Sequence, residues 1–93
     1  MKFRRMLANR RSSVSFAFQC EGHCDRAAAS RFAGGALGEL FLDTGRPDKT
    51  LQSNAETSAV LVSLLLQFGE PSKVIAHSIA GPIEIALGMA VQA

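Results

Sequence analysis

The sequence predicts an α+β fold: a three-stranded antiparallel β-meander followed by two to three helices packed on one face. Three observations predict it. Alternating apolar and polar residues begin at Ser13, glycine-bearing turns separate three short runs, and an almost unbroken apolar segment of helical length starts near residue 54. Ninety-three residues make one small domain. We divide the chain into a basic, flexible arm over residues 1–12 and a single domain over residues 13–93.

Composition narrows the class further. The chain is 47% hydrophobic and 19% charged, which excludes a disordered tail. The longest apolar stretches, Ala59 to Val62 and Leu64 to Leu66, are far shorter than a membrane span. All six aromatic residues are Phe, so stacking platforms for bases or sugars are scarce. The net charge of +2 is uneven: Lys2, Arg4, Arg5, Arg10 and Arg11 supply five of the ten basic residues, and the rest of the chain is net acidic. Such an arm is read as a solvated terminus, a phosphate or acidic-partner contact, or an Arg-rich targeting segment. Two cysteines form no disulfide framework, which points to a reducing compartment, the cytoplasm.

The elements follow in order. Val14, Phe16, Phe18 and Cys20 share one face of a first strand. Glu21-Gly22-His23 is a turn, and a second, alanine-rich strand runs from about Cys24 to Ala33. Gly34-Gly35 reads as a two-residue hairpin turn. A third strand, Ala36 to Asp43, places Leu40 and Leu42 on one face and Leu37 and Phe41 on the other. Thr44 to Gln52 holds Gly45 and Pro47 and reads as a loop. Ser53 to Glu56 fits a capping box opening a helix to about Phe68, which Gly69 ends. Pro71 opens a second helix to about Ile79, and Pro82 a third to about Ala90.

Val60, Leu61, Val62, Leu64, Leu65, Leu66 and Phe68 surround nearly the whole first helix, leaving Glu56, Ser63 and Gln67 as one polar line. Such a helix needs cover on more than one side. We expect the sheet on one side and the two C-terminal helices on another, with a homodimer as the alternative cover.

Candidate chemistry is sparse. With residues 21–23 as the loop, Cys20 and Cys24 face each other beside His23, but a structural zinc site wants four ligands and His77 lies elsewhere. A buried Cys20 and half-exposed Cys24 are the plainer reading. His77 and Ser78 are adjacent on a helix and do not face each other. Glu39 and Asp43 sit four residues apart on one strand face, about 13 Å at roughly 3.3 Å per residue, too far for paired acid–base work. No catalytic, cofactor or metal residue is assigned. The contact candidates are Arg10 and Arg11 in the arm, and Arg46 and Lys49 near a helix start whose free amides favour anions. A nucleic-acid or phosphate-binding module using them is the alternative function. With no aromatic beyond Phe3 in the arm, sequence-specific nucleic-acid reading is not supported.

In order along the chain stand Leu7-Ala8-Asn9-Arg10-Arg11, Phe16-Ala17-Phe18, Ser30-Arg31-Phe32-Ala33-Gly34-Gly35, Glu39-Leu40-Phe41-Leu42, Ser63-Leu64-Leu65-Leu66-Gln67 and Gly81-Pro82-Ile83. This series resembles stand-alone TSCPD domains, small bacterial proteins similar to the C-terminal module of vitamin B12-dependent ribonucleotide reductases. The resemblance runs from about residue 7 to residue 87. The Thr-Ser-Cys-Pro-Asp string is absent; Gln67-Phe68-Gly69 stands where relatives tend to have Gln-His-Gly, and Arg46-Pro47-Asp48-Lys49 where they have a Lys-Gly-Ser-like loop. The resemblance implies a non-catalytic accessory module linked to deoxyribonucleotide synthesis, partnered by a ribonucleoside-diphosphate reductase or another DNA-metabolism enzyme. Adenosylcobalamin and redox cysteines belong to the larger relatives and are not carried onto Cys20 or Cys24.

Overall fold

A computed structural model of the chain describes residues 3–9, 12–45 and 48–92. Three strands, β1 (Ser13–Cys20), β2 (His23–Arg31) and β3 (Leu37–Asp43), are followed by three helices, α1 (Lys49–Gln67), α2 (Ser72–Ala76) and α3 (Pro82–Gln92). The strands form one antiparallel sheet in the order β1-β2-β3. The meander and the α+β class are as the sequence predicts.

The first hairpin is tighter than expected. Glu21 and Gly22 alone form the turn, both at positive φ (51° and 78°), and Cys20 pairs with His23. Positive φ at both central residues is the primed turn whose twist matches antiparallel strands. The shorter turn places Cys24 opposite Gln19, so the expected Cys20–Cys24 pairing does not occur: Cys20 is buried and Cys24 exposed. The second connection is one residue longer than predicted. Ala33-Gly34-Gly35 lie between Phe32 and Ala36, whose backbones bond at 2.8 Å, and only Gly35 needs positive φ (97°).

A bulge alters β3. Ser30 pairs with Glu39 and Arg31 with Leu37, leaving Gly38 as the extra residue. The alternation shifts there, so Leu37 joins Leu40 and Leu42 in the core instead of sharing Phe41's face. Phe41 is left exposed on the outer side. Glycine is required at the bulge because a Cβ there would lie 2.7 Å from the Phe32 ring.

α3 covers the inner face of the sheet. Ile83, Ala86, Leu87 and Ala90, at one helical spacing, are all buried. Their counterparts on β2 are Ala27 and Ala29. Small side chains on both surfaces let helix and sheet approach closely, which accounts for a strand rich in a poor strand former. Arg31 ties off α3 by donating from Nη2 to the carbonyls of Ala90 (2.9 Å) and Val91 (3.1 Å).

α1 begins earlier than the capping box implies. Asp48 is the N-cap, its Oδ1 accepting from the amides of Thr50 (2.9 Å) and Leu51 (3.3 Å). Asp is as strong a cap as Ser, so the helix takes four residues assigned to the loop, Lys49 to Gln52. Glu56 accepts from Gln52 Nε2 at 2.8 Å. The α2 helix is shorter than expected, ending at Ala76.

The larger correction concerns how α1 is covered. Ser63 and Gln67 of the polar line face protein, while Glu56 stays exposed. Ser63 Oγ accepts from Leu40 N (2.8 Å) and donates toward Leu40 O (3.0 Å), Gln67 Nε2 donates to Gly38 O (3.0 Å), and Gln52 Oε1 accepts from Thr44 N (3.0 Å). These side chains satisfy the free edge of β3 and seal it. Ala55, Ala59, Val62 and Leu66 then face the core. Both C-terminal helices do pack against α1, as expected, but on its core side, and they leave Val60, Leu61, Leu65 and Phe68 exposed on the opposite side.

Candidate functional site

Three places on the molecule have features beyond core packing. The first is the uncovered side of α1. Val60 and Leu61 are 56% exposed, Leu65 45% and Phe68 39%. Residues 61, 65 and 68 follow the spacing of a single helix face, and Val60 flanks it. Next to Val60 lies a trough of about 780 Å³ on the outer face of the sheet, floored by Ala17 and Ala28 and bounded by Phe41, Glu56 and Arg26. α1 can stand in this position because its polar line is fixed to the β3 edge. The apolar flank is thereby held outward on a rigid element, forming a continuous greasy surface beside a shallow, small-residue floor.

The second place is Asp25, which no motif in the sequence singles out. It pairs with Phe18 across the hairpin and is fully buried. Neither carboxyl oxygen has a hydrogen-bond partner among the described residues. Strand parity was the available signal: two residues from His23 and two from Ala27, position 25 falls on the inner face. By register Cys20, His23 and Asp25 share that face. Among the described residues, however, no three His, Cys, Asp or Glu side chains are placed to hold a metal ion.

The third place is the arm. Residues 3–9 run back across the sheet to the C-terminal end of α1. Arg5 N donates to the Gln67 carbonyl at 2.7 Å, Arg4 Nε to Gln67 Oε1, and the Arg5 guanidinium lies 3.9 Å over the Phe32 ring. α1 has no basic residue in its own last turn. Two arginines from elsewhere in the chain thus supply the positive charge that a helix C-terminus favours.

Of the predicted contact residues, Arg10, Arg11 and Arg46 lie outside the described residues. Lys49 is exposed at the first position of α1, directly after Asp48, whose carboxylate already occupies two of the free amides there. His77 is exposed as the C-cap of α2. Asp43 sits at the end of β3, with Oδ1 accepting from Gly45 N at 2.9 Å. No described helix is long and apolar enough to cross a membrane.

Comparison with protein-family models, with curated proteins and with solved structures finds no match to this chain.

Proposed function

We propose that this protein is a small accessory module that docks on a ribonucleotide reductase, or on a neighbouring enzyme of deoxyribonucleotide synthesis, without carrying chemistry of its own. One observation supports the docking half of that reading: the outward apolar flank of α1, with Val60 and Leu61 more than half exposed. Apolar side chains lined up on a rigid helix are a common form of protein-binding surface. The reductase half rests on the resemblance of the motif series to TSCPD domains. We place the protein in the cytoplasm, in keeping with two unpaired thiols, one of them exposed.

The test uses purified adenosylcobalamin-dependent reductase lacking its own C-terminal module. The wild-type chain should co-migrate with it in a salt-insensitive complex. Leu61→Asp and Leu65→Asp should each abolish the complex while leaving the circular dichroism spectrum intact. No complex with wild type, or one indifferent to both substitutions, defeats the proposal. DNA binding that weakens steeply with salt and disappears when residues 1–11 are deleted would favour the phosphate-binding alternative instead.

A further inference from the structure

The two edges of the sheet are treated differently. α1 seals β3 through Ser63, Gln67 and Gln52. Among the described residues nothing covers β1 in this way. The two-residue turn makes Cys20–His23 a hydrogen-bonded pair, so even-numbered residues of β1 bond to β2. The amides and carbonyls of Ser13, Ser15, Ala17 and Gln19 therefore point to the open side, and none has a partner among the described residues. An open edge is usually kept short, charged, or interrupted by proline or a bulge. β1 has none of these devices: Ser-Val-Ser-Phe-Ala-Phe-Gln-Cys is eight residues long, uncharged and unbulged against β2.

We propose that β1 pairs with β1 of a second copy of this chain, antiparallel about a two-fold axis near Phe16, to give a continuous six-stranded sheet. A second copy fits for three reasons. An antiparallel strand pair about a two-fold is self-complementary, so one strand supplies both sides. With no charge on β1, bringing two copies together creates no repulsion. The subunit also exposes more surface than its mass requires. The chain exposes 6121 Å², whereas a monomer of its mass should expose about 5,200 Å². Part of the difference lies on the arm, where Phe3 is 82% exposed. The rest is shared between the α1 flank and the open side of the sheet, where Val14 is half exposed.

The register follows from the geometry. With the axis at Phe16, Ser15 of one copy faces Ala17 of the other, Ser13 faces Gln19, and all four open backbone positions are bonded. On the inner face the two Phe16 rings meet across the axis, and Val14 meets the second copy's Phe18. This covers Val14, half exposed in one subunit, and completes the burial of Phe16, which packs only partly against the core. The α1 flank lies beyond the opposite edge and stays free, so this dimer is independent of reductase docking.

Sedimentation of the full chain at high micromolar concentration tests the inference. Wild type should sediment as a dimer. Ala17→Pro removes an open-side N–H that no bond within the chain uses, and Ser15→Lys sets like charges near each other across the axis. Both should sediment as monomers. Hydrogen exchange gives a reading without substitution: the amides of Ser13, Ser15, Ala17 and Gln19 should exchange slowly at high concentration and fast on dilution. A wild-type monomer, a dimer that survives both substitutions, fast exchange at those four amides in a dimer, or a dimer broken by Leu61→Asp would each overturn it.

Discussion

At the scale of single residues, Asp25 is the position most at odds with its surroundings. A carboxyl group sealed between a sheet and its covering helices, with neither oxygen hydrogen-bonded, opposes folding. Replacing an unsatisfied buried polar group by an apolar one of similar size removes that cost. Asp25→Val, with a side chain suited to a strand, should therefore raise unfolding stability by about 1–3 kcal/mol. Urea denaturation measures this; a lowered midpoint would show that the carboxyl has a stabilising partner. Gly38 shows a different constraint, set by a ring rather than by charge. The Phe32 side chain occupies the space a Cβ would need, and the Arg5 guanidinium stacks over the same ring. One glycine thus permits the bulge that turns Leu37 into the core.

At the scale of elements, α1 has two tasks on two sides. Its core side anchors through Ala55, Ala59, Val62 and Leu66, and its polar line supplies the β3 edge with the partners a fourth strand would have given. Ser63 is the central member, buried and bonded to both the amide and the carbonyl of Leu40. The hydroxyl proton is shared between the carbonyls of Ala59 (2.8 Å) and Leu40 (3.0 Å), so Ser63→Ala chiefly leaves the Leu40 amide without a partner inside the protein and should cost about 1–3 kcal/mol in stability. Thermal unfolding checks this. An unchanged Tm would mean that the edge is satisfied without the hydroxyl. This arrangement also explains why the apolar circumference of α1 misleads as a guide to burial. Periodicity shows which residues share a helix face, but not which face meets the sheet. Here the edge of β3, rich in unsatisfied backbone groups, attracts the polar line inward and turns the apolar flank outward.

At the scale of the whole molecule, one sealed edge and one open edge make the subunit incomplete. Dimerisation through β1 couples stability to concentration, because a partner that binds only the folded state shifts the unfolding equilibrium. The wild-type Tm should rise with protein concentration, and that of Ala17→Pro should not. A wild-type Tm independent of concentration over two decades would contradict the coupling. Such a dimer leaves two α1 flanks on its far ends, one for each copy of an interaction partner.

Much of this architecture could be read directly from the residues. The alternation through Val14, Phe16, Phe18 and Cys20 fixes β1 and its inner face, and glycine with charged or small neighbours marks both hairpins. Proline and glycine bracket α2 and α3 closely enough to order the helices. These are local properties of backbone and side chain, and sequence determines them by itself. The exact turn lengths, the Gly38 bulge and the choice of Asp48 over Ser53 as cap depend on competition between near-equal local options, which packing resolves. The inward polar line of α1, the burial of Asp25 and the return of the arm to Gln67 have no local signal. Each is set by which distant backbone groups lack partners once the sheet has formed, and only the assembled tertiary structure determines that.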